Sequence, residues 1–242
     1  MKKLAVVFLG VTMGALAQTG RITGTVTDDS GAAVAGAAVR ASLRSSVSPG
    51  VTGPGGAPPF FPFPPVAAST ATGGFEIDNL PAGKYTLCVE KPESTLLDPC
   101  LWTVPVTLDV KAGATASGVS VVMSQGVELS IRVQDGQGLL ANAAADDVRV
   151  GTSYGRSTFI PAMVYARDAT GKTMKLVVPP GLPLNLKVTS ASFTLADAKG
   201  NALGAGGQIP VAGPPAAAAG IAAPVGGPPA ITVQVTGTVG KP

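Results

Sequence analysis

The 242-residue sequence contains no histidine and only two cysteines. Histidine is the commonest general base in enzymes and the commonest protein ligand of transition metals. Its absence excludes the usual forms of acid–base catalysis, and two cysteines alone cannot complete a four-ligand zinc site. We therefore predict a protein that is not an enzyme and that holds no cofactor and no metal.

Charge is also scarce, since charged side chains make up 13% of the residues, about half the usual share. The formal net charge is +3, and Lys2 and Lys3 at the N-terminus supply two of these positive charges. No cluster of lysine or arginine with interleaved aromatic residues follows them. Such a chain lacks the field that attracts nucleic acid or anionic lipid, so we expect neither as a partner.

Long apolar runs are missing except for one, from Leu4 to Leu16, which is too short to span a bilayer comfortably. It follows two lysines and ends within Ala15-Leu16-Ala17, whose small residues suit a signal peptidase. We predict that residues 1–17 are a signal peptide, cleaved to leave Gln18 first, rather than a buried helix or a membrane anchor. The mature chain would then lack a transmembrane segment and would be secreted, either periplasmic or extracellular.

The two cysteines, Cys88 and Cys100, agree with export. An even number of cysteines in an oxidising compartment favours a disulfide. A redox-active or metal-binding pair is the weaker alternative, because the spacing is not C-x-x-C and no histidine could complete a site. We therefore predict a Cys88–Cys100 disulfide that closes a short loop.

Glycine and proline are plentiful, with 32 and 22 residues, and this favours many short strands joined by turns. Apolar and polar residues alternate from Ile22 to Thr27, a period that is typical of a strand with one buried face. The alternation recurs to give about seven strands before residue 124, as a sandwich requires. One such strand is predicted from Trp102 to Val110, where Pro105 indicates a sheet edge or a bulge.

Two ordered motifs lie in this first half of the chain. Residues 24–39 read G-x-V-x-D-x-x-G-x-x-V-x-G-A-x-V, and residues 73–87 read G-x-F-x-I-x-x-L-P-A-G-x-Y-x-L. With these motifs, residues 20–124 resemble the carboxypeptidase regulatory-like domain family. The resemblance implies a transthyretin-like β-sandwich of the accessory kind, without the zinc-binding catalytic domain. Because that superfamily overlaps with carbohydrate-binding-like folds, glycan binding is an expectation by analogy of fold alone.

The second half partly repeats the first. The spacing from Val26 to Gly31 recurs from Val133 to Gly138, and residues 178–181 echo the L-P-A-G turn. We predict an all-β fold of tandem small Greek-key or transthyretin-like sandwiches, divided into residues 18–124 and a degenerate second module at 125–242. The second module would contain a low-complexity Ala/Gly/Pro loop at 204–230 and a closing strand after it. Its core is expected to hold Tyr154, Phe159, Tyr165 and Phe193.

Three local patterns have catalytic or metal-binding counterparts. Residues 151–155 match the G-x-S-x-G nucleophile elbow, but no histidine accompanies the serine, so a turn is favoured. Residues 170–173 end like a phosphate-binding loop but lack its first glycine, so a hairpin turn is favoured. The acid pairs at 28–29 and 146–147 could hold Ca²⁺ or serve a carboxylate-dependent hydrolase, but solvated turns are the commoner role of such residues.

The most unusual segment is the insertion at residues 48–66, which contains Pro58-Pro59-Phe60-Phe61-Pro62-Phe63-Pro64-Pro65. Proline prevents ladder pairing, so we expect this run to lie outside the sheets. Phe60, Phe61 and Phe63 either form an exposed contact for a ligand or partner, or fold back over an open sandwich edge.

Taken with the absence of histidine, these features favour a secreted, non-catalytic binding or scaffold protein. Its partner would be a protein or a polysaccharide of the cell envelope. The alternative is a purely structural component of the envelope or matrix, and a carboxylate-dependent hydrolase is the least favoured. The sequence makes no prediction of oligomeric state.

Overall fold

The computed structural model describes residues 18–44, 64–141, 147–155, 157–204, 206–213 and 231–239. The predicted signal peptide lies outside these residues, as do positions 48–63 of the predicted insertion. Within the described ranges the chain is built from strands and one four-residue helix. The predicted all-β fold of tandem sandwiches is confirmed.

The first module comprises seven strands and the helix. Its elements are β1 (Gly20–Asp28), β2 (Ala38–Leu43), β3 (Val66–Ala68), β4 (Gly74–Leu80), β5 (Gly83–Glu90), α1 (Pro99–Trp102), β6 (Val106–Val110) and β7 (Thr115–Met123). One sheet has the order β4-β1-β7 and the other β3-β2-β5-β6. Strands β1 and β7 are parallel, whereas the other paired strands of this module are antiparallel.

Alternation along the strands builds the core of the first module. In β5, for example, Tyr85, Leu87 and Val89 are buried, and the residues between them are less so. Full burial of a Leu or Val side chain stabilises a fold by about 1.5–3 kcal/mol. Both sheets contribute to one cluster: Ile22, Val26, Val34, Ala37, Val39, Ala41, Phe75, Ile77, Leu80, Tyr85, Leu87, Val89, Val110, Val121 and Met123.

The two sequence motifs correspond to turns with defined chemistry. The hydroxyl of the buried Tyr85 donates a hydrogen bond of 2.9 Å to the carbonyl of Pro81, so the L-P-A-G turn is tied to the strand after it. At the end of β1, Oδ1 of Asp28 accepts from the N–H groups of Ser30 and Ala32, each at 2.9 Å. These bonds satisfy turn amides that no strand pairs.

The second module is also a sandwich, with two sheets ordered β10-β9-β13-β16 and β11-β12-β8-β17-β14-β15. Strand β17 pairs in parallel with β8, as β7 does with β1, so the last strand of each module lies beside its first. The strands are β8 (Val127–Gln134), β9 (Arg149–Tyr154), β10 (Ser157–Pro161), β11 (Met163–Asp168), β12 (Gly171–Val178), β13 (Leu184–Thr189), β14 (Phe193–Asp197), β15 (Ala202–Leu203), β16 (Gly207–Val211) and β17 (Ile231–Thr238).

Several sequence expectations differ from the structure of the second module. Phe193 is buried as predicted, but Tyr154 and Tyr165 are 37% and 68% exposed, and Phe159 is half-buried. Apart from Phe193 and Trp102, the buried core consists of aliphatic residues and Met174. Residues 207–211, expected within the low-complexity loop, form β16, because they pair with β13 and place Ile209 and Val211 against the core.

The strand predicted from Trp102 to Val110 is shorter than expected. Trp102 ends helix α1, Val104 is 89% exposed, and the strand begins at Val106, directly after Pro105. The strand lies at a sheet edge, as the proline indicated. A proline cannot donate to the ladder, so pairing starts only after it.

Candidate functional site

The structure joins Cys88 and Cys100 in a disulfide, as predicted, with their Cα atoms 5.3 Å apart. Cys88 lies in β5 and Cys100 in α1, so the bond ties the helix to the second sheet of the first module. Both cysteines are half-buried. The bond closes a covalent loop of residues 88–100, which we call the disulfide loop.

The disulfide loop pairs with the short linker that joins the two modules. Leu96 and Gln125 form an antiparallel bridge. On either side of it, the N–H of Leu97 donates to the carbonyl of Ser124 at 2.9 Å, and the N–H of Gly126 donates to the carbonyl of Thr95 at 2.7 Å. The linker backbone is therefore bonded like an edge strand rather than solvated.

A second set of bonds holds Gln125 from the side of the first module. Its N–H donates to both carboxylate oxygens of Asp29, at 3.0 and 3.1 Å, and its side-chain amide donates to the hydroxyl of Thr95. Bonds to a charged acceptor are stronger than those between neutral groups. Asp29 therefore anchors the linker to the turn that follows β1.

Two side chains next to the disulfide lie in the core of the other module. Leu97 and Trp102 are 4% and 5% exposed, and both belong to the hydrophobic cluster of the second sandwich. The Trp102 ring lies 5.4 Å from the ring of Tyr154, centroid to centroid. We call Leu97, Trp102, Tyr154 and the linker residues 124–126 the junction.

Packing at the junction leaves no free space beside the linker. A Cβ built on Gly126 would lie 2.6 Å from Cγ1 of Val177 and 2.7 Å from Cδ2 of Leu97. At such distances the methyl groups of Val177 and Leu97 would have to shift to admit any larger residue at this position. The two modules therefore touch through close-packed side chains as well as through the chain itself.

Helix α1, which carries Trp102, is held by its own cap. The side chain of Asp98 accepts from the N–H of Cys100 at 2.8 Å, and Pro99 occupies the first turn. Burial raises the pKa of Asp98; the hydrogen bond from Cys100 opposes this rise, and the charge of Glu90 adds to it. The sequence carries a signal for this helix that the strand prediction overlooked, since Asp followed by Pro is typical of a helix start.

Asp28, Asp29 and Asp147, three of the acids considered for catalysis or for Ca²⁺, accept hydrogen bonds from backbone N–H groups. Asp147 illustrates this: its carboxylate accepts from the Ser190 hydroxyl at 2.6 Å and from the N–H groups of Ala191 and Ser192 at 2.7 and 2.9 Å. Burial raises the pKa of Asp147, but these hydrogen bonds outweigh it and leave the pKa below its ordinary value. In the part of the chain that the structure describes, no three His, Cys, Asp or Glu side chains form a metal-binding group.

The patterns that resemble catalytic motifs lie in sheet structure. The turn predicted at residues 151–155 is wrong for all but Gly155, because Ser153 and its neighbours pair within β9. That strand is followed by strand β10 and not by the helix that a nucleophile elbow requires. The turn of the β11–β12 hairpin is at residues 169–170, so the predicted turn at 170–173 is right for Thr170 alone, and residues 171–173 pair within β12. Lys172, next along β12, is 2% exposed, and its Nζ donates to the carbonyl of Val148 at 2.8 Å.

The predicted contact residues Phe60, Phe61 and Phe63 lie outside the described residues, so they remain a prediction. The described residues include no helix of sufficient length and apolar character to cross a membrane. The junction was not predicted from the sequence, because it depends on which module the buried face of the disulfide loop meets.

Comparisons with known proteins identify no family. No family model matches the chain, and no curated protein matches it. The carboxypeptidase regulatory-like resemblance therefore remains a prediction.

Some solved structures are similar at a low level. A streptococcal ancillary pilin matches with 10% identity and a TM-score of 0.38, over 90% of this chain and 63% of that one. The minor pilin of Streptococcus agalactiae matches with 12% identity and a TM-score of 0.32, over 45% of each chain. A candidate carbohydrate-binding protein from Pseudomonas aeruginosa matches with 19% identity and a TM-score of 0.25, over 45% of this chain and 90% of that one. This chain thus spans less than two thirds of either pilin.

Proposed function

We propose that this chain is a non-catalytic scaffold protein whose two sandwiches are held in one relative orientation. The observation that carries the proposal is the junction, where Leu97 and Trp102 of the first module lie in the core of the second. Domains of one chain move relative to each other unless their interface is large and hydrophobic. Here the interface is part of a hydrophobic core.

The linker supports the same conclusion. Only residues 124–126 separate β7 from β8, and the backbone of all three is hydrogen-bonded to Thr95, Leu97 or Asp29. A flexible linker is solvated and rich in Gly and Ser. This one is short and paired, so it transmits the position of one sandwich to the other.

Residual dipolar couplings and small-angle X-ray scattering on residues 18–242 with the disulfide intact would test the proposal. We expect a single alignment tensor to fit the amides of both modules. A Leu97→Ala/Trp102→Ala variant is the comparison, because it removes the shared side chains but keeps the linker, and should require two tensors. Independent tensors for the unaltered protein would contradict the proposal.

We also propose export to the periplasm or the outside medium. The support is the N-terminal charge and apolar run, together with the disulfide, which persists in oxidising compartments. N-terminal sequencing of the protein isolated from its host should give Gln18 as the first residue. An N-terminus at Met1 would contradict this.

Binding of an envelope protein or surface polysaccharide is the second candidate function. Every residue of β11 is exposed, and Met163, Val164 and Tyr165 place apolar surface on this sheet edge. The ammonium of Lys175 lies 3.6 Å from the centre of the Tyr165 ring and covers one of its faces. An aromatic ring held in this way is suited to contact a partner.

Binding can be tested on a glycan array and by pull-down from the native envelope. Two variants separate the candidate contacts: Tyr165→Ala for β11, and Phe60→Ala/Phe61→Ala/Phe63→Ala for the predicted insertion. Loss of a wild-type signal in either variant would support binding and locate it. An absence of signal in both experiments would leave the scaffold role alone.

A further inference from the structure

The disulfide and the side chains beside it belong to different packing units. Cys88 and Cys100 are both in the first module, bonded to each other. Leu97, three residues before Cys100, and Trp102, two residues after it, are buried in the core of the second module. The disulfide therefore fixes the position of Leu97 and Trp102, whose packing partners belong to the second module.

We infer that the Cys88–Cys100 disulfide is a redox-sensitive lock on the junction, and that its reduction releases Leu97 and Trp102 from the second module. This inference rests on the proposed function, since a lock has an effect only where the modules are held in one orientation. The predicted consequence is a change in the second sandwich caused by a bond that it does not contain.

The chemistry requires a dithiol as reductant. Its two thiols supply two protons and two electrons to the Sγ atoms of Cys88 and Cys100, and the Sγ–Sγ bond breaks. Two cysteine thiols form, and the dithiol becomes a disulfide. Both cysteines are half-buried, and we expect a small dithiol to reach the bond without prior unfolding of either sandwich.

The remaining contacts of α1 explain why the bond matters. The helix has four residues, and its local bonds include the Asp98 cap and the N–H groups of Leu101 and Trp102, which donate to the carbonyl of Asp98. The N–H and the hydroxyl of Thr103 both donate to the carbonyl of Pro99. A helix of this length is unstable without tertiary support. Once the disulfide is reduced, the disulfide loop regains chain entropy, and the helix loses its covalent bond to β5 and depends on non-covalent contacts.

The chain contains a single tryptophan, so the fluorescence of Trp102 reports on the junction directly. We expect reduction of residues 18–242 with dithiothreitol to shift the emission maximum to longer wavelength and to increase quenching by acrylamide. Emission wavelength is preferred to intensity, because a nearby disulfide can quench an indole. Hydrogen exchange should also become faster at Tyr154 and Val177, the second-module residues next to Trp102 and Leu97.

A double variant and a matched control distinguish the lock from general destabilisation. Cys88→Ser/Cys100→Ser should show the shifted emission without reductant and no further response to it. Ile22→Val perturbs the first-module core, where Ile22 is fully buried, but leaves the disulfide loop unchanged. It should keep the emission of the oxidised protein. If the double variant does not fold, the folded wild type can be titrated with dithiothreitol and monitored by circular dichroism. This compares the protein with and without the disulfide.

The outcomes separate this inference from the proposed function. If the oxidised protein fits one alignment tensor and reduction changes neither the tensor nor the Trp102 emission, the lock is wrong and the scaffold stands. If the oxidised protein already needs two tensors, the scaffold is wrong. An emission shift of the same size in Ile22→Val would also overturn the lock, because the disulfide loop would then have no special role.

Discussion

The indole ring of Trp102 lies 5.4 Å from the phenol ring of Tyr154, with the ring planes inclined by 38°. Trp102 follows the disulfide of the first module, and Tyr154 ends β9 of the second. Aromatic pairs at this separation stabilise beyond the area that they bury. The pair therefore links two sandwiches that the chain connects by a short linker.

Replacement of Trp102 should weaken the second module more than the first. We expect Trp102→Ala to lower the free energy of unfolding by about 3–5 kcal/mol, as for other large buried aromatics. Hydrogen exchange should locate the loss at the second core. Tyr154→Phe is the control, since it keeps the ring and should change stability little. A loss confined to the first module would contradict the assignment of Trp102 to the second core.

The raised pKa of Asp98 predicts a stability that depends on pH. Burial favours the protonated carboxyl in the folded state, so the folded protein binds more protons than the unfolded chain. The stability supplied by Asp98 should be present below the ordinary aspartate pKa and be lost as pH rises through the raised value. Asp98→Asn keeps an acceptor for the helix cap but cannot ionise. In urea titrations, wild type minus variant should decline across that window, and a flat difference would contradict the prediction.

The ion pair of Arg132 and Asp168 predicts the opposite dependence of stability on pH. Nη2 of Arg132 donates to Oδ1 of Asp168 at 2.7 Å, and this bond, with those from Thr170, holds the pKa of Asp168 far below its ordinary value. The stability that it supplies should be present above the ordinary aspartate pKa and be lost as pH falls. Asp168→Asn should therefore destabilise at neutral pH and less in acid. Asp109→Asn, at an exposed site on β6, is the control, and an equal effect would contradict the prediction.

Two glycines with positive φ allow the cost of steric crowding to be compared with the cost of backbone strain when each is replaced by alanine. Gly171 has φ +136°, and a Cβ there would lie 2.0 Å from the carbonyl oxygen of Val133. Gly181 has φ +69°, and a Cβ there would meet nothing within 4 Å. We expect Gly181→Ala to cost about 1–2 kcal/mol through strain alone. Gly171→Ala should lower the free energy of unfolding by more than this, as measured by chemical denaturation. An equal or smaller loss would show that the β8–β12 pairing can shift.

Period-two alternation and turn residues were enough to predict the all-β fold, and an even cysteine count with an export signal was enough to predict the Cys88–Cys100 disulfide. These signals are local, since a strand buries every second residue whichever sheet it joins. They failed at two kinds of position. Tyr154 and Tyr165 are apolar enough for a core, but Tyr154 stands at the end of the inner strand β9, and Tyr165 lies on the edge strand β11. Residues 207–211 look like low-complexity sequence, yet β13 offers them a partner.

By itself the sequence determined the strands, the turns and the bond between the two cysteines, because propensity, pattern and an even cysteine count act over short distances. Only the tertiary structure decided that Leu97 and Trp102 leave their own sandwich and enter the next. The residues around them carry no pattern that indicates which module these two side chains pack against. That choice depends on how the three-residue linker places β8 and β9 against the disulfide loop.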